Sequence, residues 1–369
     1  MPPLGQFACR IARSLTHAVV CLLATAVTAL ACTTMALGPA SYRLVAYSFD
    51  FGPTGVGMVV VNPVGIVRTS LYDPPRASWQ ARYGSVTVNQ AGLGMPTAGL
   101  NTAGLVVTLM WNDDVAYEAA DGRPRLNELE FIQYLLDRAG SVDEALAIAA
   151  EAQVAGMVPI HYFLADAGGD AATLAFLDGS PVVRRGETLP MPALTNLSYD
   201  VLVDQVDLFS PFGGDTALPA VRDLPGSGLD DSVVRFAHAV LAGRETQAAA
   251  SPEAAFEALS AVRSPSTRWQ VVFDPVGQEV RYQTVEAPDR RAVRLGDLPF
   301  DCRTDALSID IDDRESWSVA DSLTPLTGVE NLAIVTEAFG SFPHFRQFGP
   351  DFPAMLSAGQ MQSVACPPS

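Results

Sequence analysis

The chain has 369 residues, of which 49% are hydrophobic and 17% charged, and its formal net charge is −18. This composition excludes a disordered protein, and the acidic charge argues against nucleic acid or an anionic membrane surface as a partner. The sequence contains no lysine, which excludes a Ser-Lys dyad, a Schiff base and a P-loop lysine.

The first residues have the three parts of a secretory signal peptide. Arg10 and Arg13 precede any acidic residue, an apolar run extends from Ala18 to Leu30, and Ala29-Leu30-Ala31 provides a small-x-small cleavage site. The apolar run is shorter than the roughly 20 residues that a helix needs to cross a bilayer, and no later stretch qualifies as a transmembrane segment. We therefore expect residues 1–31 to be removed and the protein to be periplasmic or secreted.

Cleavage at this site would make Cys32 the first residue of the mature chain, with a thiol and a free α-amine on the same residue. A Cys directly after a leader is also the acylation site of bacterial lipoproteins. Their leaders usually carry Leu three positions before the Cys, where this chain has Ala29. On the leader alone, a lipid anchor and a catalytic nucleophile are both open interpretations.

The other cysteines suggest a disulfide. Cys9 and Cys21 would leave with the leader, so Cys302 and Cys366 remain as a pair and Cys32 as the odd thiol. The mature histidines are too scattered for the spacings of metal sites, and we expect neither a metal nor another cofactor. These histidines are His161, His238 and His344.

The predicted elements begin with strands. Four segments are rich in β-branched or aromatic residues and are bounded by Gly, Pro or Asn: Tyr42 to Tyr47, Gly57 to Asn62, Ser85 to Asn89 and Gly104 to Trp111. Helical spacing and capping residues predict helices over Leu126 to Arg138, from Ser141 onward, over Asp231 to Ala242 and over Pro252 to Val262. Hairpin patterns follow the two helix pairs, at 161–178 and 269–284.

This order of strands, helix pair, strands, helix pair and strands lacks strict βαβ alternation. It therefore indicates mainly antiparallel sheets with helices in outer layers. Residues 32–369 are predicted to form one domain. Within it, Ser198 to Leu229 is rich in Gly, Pro and Asp and is predicted to be a long surface loop, and the tail from Asp301 is predicted to be irregular.

Five segments in order carry a family resemblance: Cys32-Thr-Thr-Met35, Tyr47-Ser-Phe-Asp50, Gly99-Leu-Asn101-Thr-Ala-Gly104-Leu105, Leu194-Thr195-Asn196 and Ser232-Val-Val-Arg235-Phe236. Each alone would be read as a turn, a loop or a solvated helix residue. Together, behind a Cys exposed by signal cleavage, they resemble the choloylglycine hydrolase family, which includes penicillin V acylases and bile salt hydrolases. These are N-terminal nucleophile enzymes.

The resemblance implies an α+β fold, a four-layer αββα sandwich of two mainly antiparallel sheets, without a cofactor and in a homotetramer. It implies hydrolysis of a small-molecule linear amide, with Cys32 as nucleophile and its own α-amine as base. By the same resemblance, Asp50 would hold the α-amine, Asn196 would donate to the oxyanion, and Arg235 would lie near the nucleophile as a fixed positive charge.

Two positions depart from the family pattern. Tyr47 stands where the family usually carries an Arg, three residues before the acid. Trp111, followed by Asn112, stands where relatives carry a residue of the oxyanion hole and substrate pocket. We therefore predict Tyr47, Trp111 and Asn112 as substrate-binding residues, and Trp111 favours penicillin V or acyl-homoserine lactones over bile salts.

Two alternatives to an amidohydrolase stay open. One is a lipoprotein of the same fold, in which a lipidated Cys32 cannot act. The other is a binding module that lost turnover with the change to Tyr47.

Overall fold

The computed structural model describes residues 32–367 apart from 42, 53–54, 73, 226, 303–305, 315–317 and 342. The predicted signal peptide, residues 1–31, lies outside the described residues. The strands in chain order are β1 (Thr33–Leu37), β2 (Leu44–Asp50), β3 (Met58–Asn62), β4 (Val67–Thr69), β5 (Ser78–Gln80), β6 (Ser85–Asn89), β7 (Pro96–Asn101), β8 (Val106–Trp111), β9 (Arg125–Leu126), β10 (Gln153–Val154), β11 (Ile160–Ala165), β12 (Ala171–Leu177), β13 (Ser180–Arg185), β14 (Ala193–Leu194), β15 (Thr267–Asp274), β16 (Glu279–Thr284), β17 (Arg291–Arg294), β18 (Leu307–Asp310), β19 (Thr324–Pro325) and β20 (Val364–Ala365). The helices are α1 (Glu128–Arg138), α2 (Val142–Ala149), α3 (Tyr199–Val206), α4 (Asp231–Glu245), α5 (Pro252–Ala261), α6 (Val319–Ser322), α7 (Gly328–Ser341) and α8 (Phe352–Gln362).

Two antiparallel sheets form the centre of the fold. The six-stranded sheet has the order β14-β1-β2-β15-β16-β17, and the nine-stranded sheet has the order β13-β12-β11-β8-β7-β6-β3-β18-β19. Every residue of β2 is buried, which is typical of a strand that is covered on both faces. One continuous apolar core joins the inner faces of the two sheets.

The helices lie on the outer faces. Helices α4 and α5 pack on β1 and β2 of the six-stranded sheet, and α1 packs on β7 and β8 of the nine-stranded sheet. Short polar residues start these helices: Asn127 and Glu130 form a reciprocal capping box for α1, and Ser251 caps α5. The layers therefore run helix, sheet, sheet, helix, and the predicted α+β sandwich of two mainly antiparallel sheets is confirmed.

Two predictions about irregular segments are wrong. The segment from Ser198 to Leu229 begins with the eight-residue helix α3, whose Leu202 and Val206 are buried. The tail from Asp301 contains the two long helices α7 and α8, which pack against each other. The predicted disulfide between Cys302 and Cys366 is confirmed, and it joins the beginning of this tail to its end. In the part of the chain that the structure describes, no helix has the length and apolar character needed to span a membrane.

Candidate active site

Cys32 lies directly before β1, in the wall of a cavity that encloses about 880 Å³ of empty space, some of it open to solvent. The cavity is mostly apolar, and Cys32 and Asp50 are among its few polar wall residues. The Cys32 side chain is only 2% exposed. An apolar cavity with a few polar groups in one wall is the usual form of a small-molecule site.

Strand pairing brings Asp50 to Cys32. Because Thr33 pairs with Ser48 in the antiparallel register of β1 and β2, the residue before β1 meets the end of β2. The Cys32 Sγ donates to the backbone oxygen of Asp50 over 3.8 Å. The Asp50 carboxyl is fully buried; the Ser48 hydroxyl donates to its Oδ1 at 3.0 Å, whereas Oδ2 has no hydrogen-bond partner among the described residues. A buried orphan oxygen of this kind calls for a donor.

Burial has the largest effect on the pKa values of the Cys32 thiol and the Asp50 carboxyl. Burial, and after it the nearby Asp50 charge, raises the pKa of the Cys32 thiol to about 12. Burial also raises the pKa of Asp50 to about 6, while the Arg235 guanidinium and the hydroxyls of Thr267 and Ser48 act in the opposite direction. In this state, with Cys32 in a peptide bond to residue 31, the thiol is therefore protonated at neutral pH.

Arg235 connects Cys32 to Asn196. It projects from α4 and is 1% exposed. Its Nη1 donates to the backbone oxygen of Cys32 at 2.8 Å and to the Thr33 hydroxyl at 2.6 Å, and its Nη2 donates to Asn196 Oδ1 at 3.4 Å. Its Nε forms an ion pair with Asp231 at 3.1 Å. The planar guanidinium thus fixes the backbone at Cys32 and determines which end of the Asn196 amide is the NH₂ donor.

The Asn196 segment is itself held by buried hydrogen bonds. The Ser232 hydroxyl accepts from the backbone N–H of Asn196 at 2.7 Å and donates to the Thr195 hydroxyl at 2.8 Å. The Thr195 carbonyl accepts from His161 Nε2 at 2.7 Å. Burial lowers the pKa of His161 to about 4, so its ring is neutral and serves as a support.

The three predicted substrate-binding residues are placed differently from one another. Trp111, half-buried at the end of β8, lines the cavity. Tyr47 is fully buried on β2 and is not in the cavity wall, but its hydroxyl donates to Cys32 Sγ over 4.0 Å. The Asn112 side chain also lies outside the wall and donates to Ser198 Oγ at 3.2 Å and to His161 Nδ1 at 3.3 Å. The structure therefore brings Tyr47 to Cys32 but places Asn112 in the hydrogen-bond network that supports Thr195 and Asn196.

Sequence reasoning did not identify several other residues of the cavity. Glu128, at the start of α1, is buried there and accepts from the Met157 backbone N–H at 3.0 Å. Burial raises its pKa to about 7. The Asn127 capping box was a signal for the helix start, but nothing in the pattern showed that this end faces the cavity. The tail contributes further wall residues: Ala338, Phe339, Phe345 and Leu356.

Across the described residues, no three His, Cys, Asp or Glu side chains come together in a way that could hold a metal ion. The arrangement offers a thiol and a buried carboxyl in the wall of an apolar cavity, and a guanidinium that joins Cys32 to the Asn196 amide outside that wall. These groups suit nucleophilic attack on a carbonyl whose substituent is apolar.

Comparisons with known proteins agree with this chemistry. No protein-family profile matches the chain. A penicillin V acylase of Pectobacterium atrosepticum is 25% identical over 199 residues, which cover 49% of this chain and 52% of that protein. The alignment thus spans about half the length of this curated relative.

The fold is shared with solved structures. A penicillin V acylase from Agrobacterium tumefaciens superposes with a TM-score of 0.67 at 22% identity, and covers 80% of this chain and 98% of the other. A variant of the conjugated bile acid hydrolase from Clostridium perfringens gives a TM-score of 0.61 at 15% identity. The superposition covers 78% of this chain and 98% of the hydrolase. The fold is therefore that of N-terminal nucleophile hydrolases. The sequence relative and the shared fold together support the assignment of this chain to the choloylglycine hydrolase and penicillin V acylase family.

Proposed function

We propose that this protein is an exported amidohydrolase that is activated by cleavage before Cys32 and hydrolyses a linear non-peptide amide through a Cys32 thioester. The observation that carries the proposal is the juxtaposition of the Cys32 thiol, the orphan Oδ2 of Asp50 and an apolar cavity. Cleavage would convert the Cys32 amide nitrogen to an amine that could donate to Asp50 Oδ2, the carboxylate oxygen that has no donor among the described residues. A charge-assisted hydrogen bond between them would satisfy this carboxylate.

In the acylation step, the α-amine takes the proton of the thiol and Sγ attacks the amide carbon. The new C–S bond pushes the carbonyl electrons onto oxygen, and the Asn196 NH₂ donates to that oxyanion. When the oxyanion collapses, the C–N bond breaks and the α-ammonium returns the proton to the leaving amine. The free amine departs and the acyl group remains on Cys32 as a thioester.

In the deacylation step, the α-amine takes a proton from water while the water oxygen attacks the thioester carbon. Collapse of the second oxyanion breaks the C–S bond, and the sulfur recovers the proton from the α-ammonium. The products are a carboxylic acid and the original thiol. Arg235 does not exchange protons in this scheme; it holds the Cys32 backbone and the Asn196 amide in position.

The proposed substrate has an aromatic or aliphatic acyl group, as in penicillin V, N-acyl homoserine lactones or conjugated bile acids. Support comes from the cavity wall, which combines the rings of Phe49, Phe51 and Trp111 with aliphatic side chains. Penicillin V acylase and conjugated bile acid hydrolase are also the names of the similar proteins. The oligomer that we propose, by the same analogy, is a homotetramer.

The decisive experiment combines processing with turnover. Edman sequencing and intact mass of the exported protein should give a chain that begins at Cys32 with a free amine, and this chain should hydrolyse acyl amides. Cys32→Ser should be exported and cleaved but should lose nearly all turnover. An added diacylglycerol mass would support the lipoprotein instead, and a correctly processed but inactive wild type would support the binding module.

A further inference from the structure

The C-terminal tail forms part of the cavity wall. We call α7, the turn Pro343–Phe348 and α8 together the C-terminal cover. Its residues Ala338, Phe339, Phe345 and Leu356 line the same cavity as Cys32. Phe339 is buried and packs against Phe345, with ring centroids 4.5 Å apart. The tail that looked irregular in sequence thus supplies rings and an aliphatic side chain to the candidate acyl pocket.

The cover is attached to the core by buried polar contacts. Asn331 Oδ1 accepts from the Leu93 backbone N–H at 2.8 Å, and Asn331 Nδ2 donates to Gln360 Oε1 at 2.8 Å. Gln360 Nε2 in turn donates to the Ala91 carbonyl at 2.7 Å. A Cβ at Gly92, whose φ is +93°, would come within 2.3 Å of Gln360 Oε1. Both helices of the cover are therefore fitted closely to the turn at 91–93.

A disulfide and a strand pairing complete the attachment of the C-terminal cover to the core. The Cys302–Cys366 disulfide fixes the chain just after α8, and β20 pairs with β4. A segment that is held at both of its helices and at its end can keep its side chains at defined positions in a pocket wall. The cover is therefore built as a fixed wall of the cavity.

We propose that the C-terminal cover determines which acyl groups the site accepts, and that the preferred substrates are amides of straight aliphatic acids long enough to contact Phe339 and Leu356. The inference rests on the proposed function, because it takes the acyl group to lie in the cavity while bonded to Cys32. Each methylene that is buried against the cover should raise kcat/KM about fourfold. Short acyl groups do not reach the cover and gain nothing from it.

The test uses one leaving amine with straight acyl groups from butanoyl to dodecanoyl. The variants are Phe339→Ala and Leu356→Ala, and the matched control is Met355→Ala, which removes a side chain that is 64% exposed on the same helix as Leu356. We expect the cover variants to lower kcat/KM for the long acyl groups on the order of tenfold relative to butanoyl. Met355→Ala should leave the length profile unchanged.

A binding measurement separates this inference from the proposed function. Calorimetric titration of the Cys32→Ser protein with the free carboxylic acids of the same series requires no turnover. Loss of the length dependence of Kd in Phe339→Ala and Leu356→Ala supports the cover as the selecting wall, even if the wild type hydrolyses nothing and the proposed function fails. Equal losses at all lengths, in turnover and in binding, overturn the inference while leaving hydrolysis intact. If Phe339→Ala does not fold, Leu356→Ala, which changes a half-buried side chain, decides the outcome.

Discussion

The Tyr47 hydroxyl donates a hydrogen bond to Cys32 Sγ from the neighbouring strand, over 4.0 Å. Burial, and after it the Cys32 charge, raises the pKa of Tyr47 well above its ordinary value, so the phenol stays protonated and remains a donor. A neutral donor to sulfur thus occupies the position at which the family resemblance leads one to expect a cation. We propose that this hydrogen bond stabilises the Cys32 thiolate.

We expect Tyr47→Phe to lower kcat on the order of tenfold, because the thiolate loses a hydrogen bond worth about 1.5 kcal/mol. The thiol pKa, read from the acid limb of the kcat/KM profile, should rise. Tyr282→Phe is the control, since Tyr282 is a buried tyrosine of β16 in the same sheet. A profile of Tyr47→Phe that matches the wild type and the control would assign Tyr47 a packing role only.

Asn196→Ala tests the oxyanion donor. We expect kcat to fall about 10²- to 10³-fold with little change in KM, because the donor acts mainly on charge that develops in the transition state. The comparison variant is Asn112→Ala, whose side chain donates to His161 and Ser198 and has no proposed role at the oxyanion. This variant should chiefly lower the melting temperature. A raised KM at unchanged kcat in Asn196→Ala would mean that Asn196 binds the ground state.

The sequence predicted the parts of the fold that have a strong periodic signal. The strand at Ser85–Asn89 has the predicted bounds, and α4 and α5 begin at the predicted residues, because β-branched runs and capping residues are local signals. Strand β1 was missed because it follows the leader directly, so its Thr-Thr-Met run had no boundary signal of its own. Helices α7 and α8 were missed because Gly340 and Gly359 interrupt them and their apolar residues form no clear helical stripe.

The candidate site was predictable only in part. Cys32 and Asp50 meet because of the β1–β2 register, whereas in the sequence only the family resemblance linked the two residues. Arg235 and Cys32 are 203 positions apart in the chain. Only the family resemblance linked these two residues in the sequence. Glu128 and Phe339 have no local sequence signal for a cavity wall, since their exposure depends on how distant elements pack.

Glu128 should make stability depend on pH. Burial raises its pKa from 4.5 to about 7, so between these values the folded state holds a proton that the unfolded state has released. Its contribution to the free energy of unfolding is therefore full below pH 4.5 and is lost as the pH rises to about 7. Glu128→Gln removes this titration while keeping an oxygen acceptor for the Met157 N–H.

We expect Glu128→Gln to gain stability relative to the wild type as the pH rises, on the order of 3 kcal/mol between pH 4 and pH 8. Urea unfolding at a series of pH values measures this difference. Glu257→Gln, at an exposed position on α5, should show no comparable trend. A constant difference between Glu128→Gln and the wild type across this range would contradict a raised pKa at Glu128.

The pKa of the Cys32 thiol should fall when the chain is cleaved before Cys32. In the uncleaved chain, burial and the Asp50 charge hold its pKa at about 12. Cleavage before Cys32 adds an α-ammonium group on the same residue, and a positive charge this close favours the thiolate. We expect the pH midpoint of alkylation by iodoacetamide to be at least two pH units lower in the cleaved protein than in the leader-retaining chain.

The midpoint is the proper measurement, because restricted access to a buried thiol slows alkylation at every pH without moving the midpoint. Asp50→Asn gives a check on the sign in the uncleaved chain: removing the carboxylate, whose charge raises the thiol pKa, should lower the midpoint. In the cleaved protein the same change should lower the midpoint less or raise it, because the carboxylate proposed to stabilise the ammonium group is lost, and the charge of that group favours the thiolate. An equal downward shift in both forms would mean that the carboxylate does not hold the amine, and the role proposed for Asp50 would be wrong.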